Sequence, residues 1–326
     1  VVSAQFLGSF LGIVVSGFLL RALGYKCVLL TAAGVLAVGA GSIALAPTWV
    51  LVLAGAVLGG AGAGLLNVTS NLMVAVAFSP KAAPALNLSS ALFGVGAVVG
   101  PLLVTAFEPR FAPPFLFIAL GALVLLPWAA TIRAPEVALP ELGAAPVAWT
   151  SLAGFVLLYV FYVSAEVGVT SWETEFLTPH FGARAAAFTS LYWLAIVVGR
   201  VLAAPISSRL KSHSMVLYSA GAALVFMLAA HRVESAPLAF VLVGLSLAPI
   251  FPTTLAWLTE VFPQRAEQVT PVVVAAANLG PALTAPLIGR VVQADGPQVI
   301  PTALSGLVLL LLLTVVWLWF RTRGRA

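Results

Sequence analysis

The feature that most constrains this chain is the recurrence of apolar runs long enough to cross a lipid bilayer, separated by short polar breaks. A helix rising about 1.5 Å per residue needs roughly 20 apolar residues to span a hydrocarbon core about 30 Å thick. Breaking the sequence at Pro, Gly and charged residues places such runs at 2–20, 28–46, 49–77, 87–107, 115–132, 149–171, 186–206, 214–230, 237–258, 269–292 and 299–320. The pattern predicts an all-α membrane protein with eleven spans. Composition agrees: 62% of residues are hydrophobic and 8% charged, whereas soluble domains are about half apolar and a quarter charged.

Several function classes are excluded early. The net charge of +5 comes from basic residues scattered in short breaks, with no basic patch interleaved with aromatics, so no nucleic-acid partner is expected and the bilayer is the counter-surface. One cysteine, Cys27, permits neither an internal disulfide nor a metal cluster. His180, His213 and His231 fall in breaks and read as solvated loop residues. There is no phosphate-binding glycine loop, nucleophile elbow or carboxylate pair in a cleft-like context, so no enzyme and no cofactor are expected.

With the first span running inward, Arg21, Lys26, Lys81, Arg133, Arg209, Lys211, Arg265, Arg321, Arg323 and Arg325 are cytoplasmic, and only Arg110, Arg184, Arg232 and Arg290 are external. This bias predicts a multi-pass protein of the plasma (inner) membrane with a cytoplasmic C-terminus. The Pro- and Ala-rich segment 133–148 is the longest hydrophilic break and reads as a cytoplasmic linker between an N-terminal half, 1–132, of five spans and a C-terminal half, 149–326, of six.

The run Ile13-Val14-Val15 recurs as Ile196-Val197-Val198, and Gly96 with Gly100-Pro101-Leu102 recurs as Gly280 with Pro286-Leu287. These near-equal offsets point to two parallel repeats. Applied to 149–171, the same offset puts a partner span before Val1, so a six-plus-six protein lacking its first span is expected.

Six plus six with a central cytoplasmic linker resembles the major facilitator superfamily. The loop Gly17 to Lys26 is similar to that superfamily's G-x-x-x-D-x-x-G-R/K signature, with Arg21 at the acidic position and Gly17, Gly24 and Lys26 retained. Within the superfamily the chain resembles the fucose/galactose/glucose:proton symporters. Asn71, Ala85-Leu86-Asn87-Leu88, Gly96 and Gly100-Pro101 are similar to that family's fourth- and fifth-span pattern. Phe161-Tyr162-Val163-Ser164-Ala165-Glu166 with Trp172 resembles its seventh span. Gly199-Arg200 and Ala248-Pro249-Ile250-Phe251-Pro252-Thr253 resemble its eighth and tenth. The departures are Leu72 for Pro, Ala85 for Arg, Ser90 and Phe93 for an amide pair, and Asn67 where fucose-carrying members have a proton-coupling acid. The resemblance implies proton-coupled transport without carrying over fucose specificity.

Glu166 lies within an apolar and aromatic run, where a carboxylate is costly unless it faces a cavity or holds a proton, so it is the candidate proton-coupling residue. Counted from the span ends, Arg200 sits about 16 Å shallower than Glu166. The two are therefore expected not to touch, and Arg200 to snorkel or to bridge Glu260. Glu173, Glu175 and Asp295 fall at outer ends, where water keeps them ionised.

Asn67, Asn71, Asn87, Tyr162, Tyr192, Trp193 and Asn278 are the candidate substrate ligands, although amides in hydrocarbon also join helices and aromatics also form interfacial belts. Gly17, Arg21, Gly24, Lys26, Arg200, Glu260, Pro249 and Pro252 are candidate gating or structural positions, the two prolines breaking the tenth span.

The expected function is secondary transport of a small polar, sugar-like solute by a monomer, driven by a proton gradient through alternating access. An exporter of amphipathic compounds by proton antiport is one alternative. A non-transporting receptor or scaffold is another, and it would carry a sizeable soluble domain.

Overall fold

The computed structural model describes residues 1–77, 82–131, 148–207, 209–263 and 265–323, and their side chains except at 75–77, 82–93, 204, 207 and 266–268. Residues 133–147 of the expected linker, Lys81 and the side chains of Asn87, Ser90 and Phe93 lie outside the described residues.

The described chain is helical: α1 (Val2–Ala44), α2 (Trp49–Ala77), α3 (Ala82–Phe107), α4 (Ala112–Thr131), α5 (Trp149–Phe181), α6 (Ala185–Ser207), α7 (Ser212–Ala229), α8 (Ala236–Leu247), α9 (Ile250–Val261), α10 (Ala266–Ala277), α11 (Leu279–Asp295) and α12 (Ile300–Thr322). It forms two compact units, Val1–Gly96 with Leu103–Leu139 and Ala97–Leu102 with Pro140–Ala326.

Large apolar side chains lie on the surface as well as in the core. Phe18, Leu45, Val50 and Val124 are each more than 70% exposed, as side chains bathed in lipid tails would be. Among the described residues, eight segments are long and apolar enough to cross a membrane, and Gly94–Phe107 is a shorter apolar helix. Two of the eight, Val2–Ala44 and Trp149–Ala203, contain 43 and 55 residues, far more than one crossing requires.

In the first unit, α1 is two helices folded at one residue. Gly24 interrupts it at φ 74° and ψ 164°, a conformation that only glycine adopts without strain. Both arms lie on α2. A Cβ at Gly60 would overlap the Gln5 carbonyl and one at Gly64 the Ser9 carbonyl, so the first arm runs with α2. The second runs against it, because Gly62 abuts Leu36, Gly39 abuts Gly59 and Gly55 abuts Ile43. One arm parallel and one antiparallel to the same helix means that the chain reverses at Gly24. Small residues permit this close backbone approach, which replaces the hydrophobic drive absent between helices in lipid.

In the second unit α5 is surrounded by α6, α10, α11 and α12. It continues ten residues past the expected end of its span, through a polar stretch read from sequence as a loop, before Gly182 (φ 55°) and a single 3-10 turn, Gly182–Arg184, reverse the chain into α6. Three glycine contacts set its neighbours. Gly154 and Gly168 receive Trp317 and Leu304 of the antiparallel α12, and a Cβ at Gly280 of α11 would overlap the Val160 carbonyl. The core of this unit includes Phe155, Tyr159, Tyr162, Tyr192 and Trp257. Between α8 and α9 the helix breaks at Ala248-Pro249, as Pro249 with Pro252 leads one to expect, and α10 gives way to α11 at Asn278.

Candidate functional site

The polar centre of the second unit is Glu166, near the middle of α5. Tyr162, one turn earlier, donates its hydroxyl to Glu166 Oε1 at 2.7 Å. On α6, Tyr192 donates to the Glu166 main-chain carbonyl at 3.2 Å, and Arg200 brings a guanidinium nitrogen to 3.8 Å from Oε1. The side chains of Glu166 and Arg200 are 12% and 30% exposed. The pair is therefore enclosed but not sealed.

The expectation that Glu166 and Arg200 stand apart is overturned. It measured depth from span ends inferred from polarity, and those ends do not correspond, because α5 has 33 residues and α6 has 23. Depth is set instead by the shared turn. Glu166 is sixteen residues before Gly182 and Arg200 sixteen after Arg184, so antiparallel packing brings them level. Nor does Arg200 bridge Glu260, whose carboxylate accepts a hydrogen bond from Ser212 at 2.6 Å.

A second correction concerns Glu173. Expected in water at a span end, it is fully buried in the extended part of α5, with neither oxygen hydrogen-bonded. Glu175 and Asp295 are exposed, as anticipated. Sequence held a usable signal for Glu173: it follows Glu166 by seven residues, two turns along the same helical face. Trp172 packs over Gly289 of α11 with its indole N–H enclosed. His180 lies in the last turn of α5 rather than in a loop, and His213 lies in the first turn of α7, stacked on Trp319 at 6.1 Å.

The other sequence candidates separate by unit. Tyr162 and Tyr192 join Glu166 and are fully buried. The Tyr162 hydroxyl positions the carboxyl, and the Tyr192 hydroxyl holds the main chain of the same residue. Trp193 packs edge-on to Tyr192. Asn278, partly buried where α10 meets α11, donates its amide N–H to the Val274 and Ala275 carbonyls and keeps its oxygen as an acceptor. Tyr159 donates to the Phe251 carbonyl at 2.8 Å and so ties α5 to the broken α8–α9 span.

In the first unit, the Asn71 amide donates to Asn67 Oδ1 at 3.2 Å, a pair that is exposed. Arg21 and Lys26 are exposed beside the Gly24 reversal, and Gly17 has open space around it. Among the described residues no group of three His, Cys, Asp or Glu side chains is placed to hold a metal.

Residues 1–234 match the model of the Major Facilitator Superfamily. The chain is 26% identical over 314 residues to the glucose/mannose transporter GlcP of Bacillus subtilis, covering 89% of this chain and 78% of that one. A shorter stretch of 111 residues, 33% of this chain and 21% of the relative, is 34% identical to human major facilitator superfamily domain-containing protein 4A. Among solved structures, the fold is similar to that of the outward-facing FucP transporter, with a TM-score of 0.71, 19% identity and coverage of 98% of this chain and 88% of that one. It is also similar to a D-xylose-proton symporter, with a TM-score of 0.77, 14% identity and coverage of 98% and 85%. An all-helical membrane chain with an enclosed acid–base pair, matched over most of its length by this family's model, belongs to the Major Facilitator Superfamily and is a multi-pass secondary transporter of small solutes rather than an enzyme.

Proposed function

We propose that this protein is a proton-coupled carrier of a sugar-like solute, with Glu166 as the proton-carrying group. The observation that carries the reading is the Glu166–Arg200 pair, bridged at 3.8 Å on the same oxygen that Tyr162 bonds. Proton arrival on Glu166 cancels the charge that holds Arg200, and departure restores it. One protonation event thereby changes the attachment of α6 to α5, a two-state element of the kind that alternating access requires. Support for a sugar-like solute comes from the glucose/mannose relative and from amide and aromatic side chains at Asn67, Asn71, Asn87, Trp193 and Asn278.

The same reading takes the chain to cross the bilayer eleven times in a five-span half and a six-span half. Supporting it, α1 reverses at Gly24 and α5 returns as α6, so the two longest apolar segments each supply two crossings, and Gly94–Phe107 supplies one more. The basic residues favour the plasma membrane with a cytoplasmic C-terminus, and the carrier works as a monomer.

The test is reconstitution in proteoliposomes with glucose, mannose, fucose and xylose. The parent accumulates one of them when an inward proton gradient is imposed. Glu166→Gln exchanges that sugar but accumulates at least tenfold less. Equal gradient-driven accumulation by both proteins removes Glu166 from the mechanism.

A further inference from the structure

Glu173 is an isolated charge-bearing group in the second unit. Its side chain is wholly buried and neither carboxyl oxygen has a hydrogen-bond partner among the described residues. The Thr189 hydroxyl of α6, within reach of the carboxyl, is engaged with Thr174 Oγ1 at 3.1 Å. No cation faces it. The titratable group bearing on it is Tyr192 of α6, and Glu166 lies two turns along α5. Arg290 and Asp295 of α11, and His180 and Arg184 around the turn, are exposed. Glu260 of α9 is exposed and bonded to Ser212. Helix α8 and the stretch of α12 from Ile300 to Phe320 carry no titratable side chain, and Glu267 of α10 lies outside the described side chains.

An ionised carboxylate in such a place, without a cation or donors, is costly, and a carboxyl that carries a proton avoids that cost. Geometry then supplies a direction. Seven residues of helix separate the carboxyls by a rise of about 10 Å. On α6, eight residues after Arg184, Tyr192 lies close to the level of Glu173, nine residues before Gly182, while Thr189 and Ser190 lie nearer the turn, and the Ser190 hydroxyl is buried with no hydrogen-bond partner among the described residues. Tyr192 reaches the Glu166 main chain at 3.2 Å.

We propose that Glu173 is a second proton-carrying residue, which stores a proton on the side of Glu166 toward the Gly182–Arg184 turn and delivers it to the Glu166 carboxylate through the Tyr192 hydroxyl of α6. This rests on the role of Glu166 given above. In the step, the O–H bond of the Glu173 carboxyl breaks, an O–H bond forms at Glu166, and the Tyr192 hydroxyl between them passes on one proton for the one it receives. Glu173 is left as a carboxylate, to be reprotonated from the adjacent aqueous face, so one proton moves and no other group changes state.

The test uses the full-length protein in lipid, read by infrared spectroscopy at neutral pH and by transport. The parent shows the carbonyl band of a buried protonated carboxylic acid. The band persists in Glu166→Gln, shifts in Glu173→Asp and disappears in Glu173→Gln. Glu173→Gln exchanges whichever of the four sugars the parent carries at a rate within about twofold of the parent, while its gradient-driven accumulation falls at least tenfold. A band unchanged in Glu173→Gln overturns the proposal, and so does a lost band with undiminished accumulation, which marks a neutral structural acid. Normal accumulation in Glu166→Gln with loss in Glu173→Gln rejects the role of Glu166 and leaves Glu173 as the proton carrier.

Discussion

The interaction between Glu166 and Arg200 can be measured by a double-mutant cycle. At 3.8 Å and an effective dielectric of about 20, opposite unit charges attract by about 4 kcal/mol. The 30% exposure of Arg200 and the cost of enclosing both charges reduce the net coupling to roughly 1–3 kcal/mol. The two single variants are not equivalent. Arg200→Gln leaves an enclosed carboxylate with the Tyr162 hydroxyl as its remaining donor, a loss of about 2 kcal/mol, whereas Glu166→Gln leaves a guanidinium that can extend toward water, a loss of about 1 kcal/mol. With both residues changed to Gln no charge remains, and the double variant is more stable than Arg200→Gln alone. At about 2–4 °C per kcal/mol for a chain of a few hundred residues, Arg200→Gln melts roughly 4–8 °C below the parent in detergent and the double variant recovers part of that loss. Strictly additive melting shifts, with coupling below about 0.5 kcal/mol, would falsify the pairing and return Arg200 to the independent position that its distance from the span ends suggested.

Three further outcomes follow from the packing. Gly60→Val places a branched side chain against the Gln5 carbonyl and forces the first arm of α1 off α2, so the yield of folded protein falls sharply in size-exclusion chromatography while Gly41→Ala, which has open space, behaves as parent. Gly24→Val imposes a conformation that β-branched residues avoid, at about 1–3 kcal/mol, and lowers the melting temperature by several degrees. Tyr159→Phe removes the hydrogen bond to the Phe251 carbonyl, costs about 1 kcal/mol, and is read as a melting shift of a few degrees with sugar exchange retained.

Much of the architecture was legible in residue order because a bilayer imposes a one-dimensional rule: apolar for about 20 residues, then a break. The class, the reversal near Arg21 to Lys26, the broken helix at Pro249 and the importance of Glu166 all follow from that rule and from the cost of charge in hydrocarbon. Family membership was legible too, in the seventh-span run from Phe161 to Glu166. The same rule misled where polarity and helix length part company. The polar stretch after Thr170 reads as a loop, yet α5 runs on to Phe181 because its polar side chains, Glu173 and Thr174 among them, turn toward α6 and other helices rather than toward lipid.

That extension is what only tertiary structure decided. Moving the turn to Gly182–Arg184 resets the register between α5 and α6, and register determines partners. It brings Arg200 level with Glu166, commits the Tyr192 hydroxyl to the Glu166 main chain, and encloses Glu173 where sequence had put it in water. Hydropathy reports how far a segment can travel through the membrane, but it carries no information on which face of one helix meets which face of the next. That is settled by the close contacts at Gly154, Gly168 and Gly280 and by a single turn with positive φ at Gly182, and through them by the packing of whole helices.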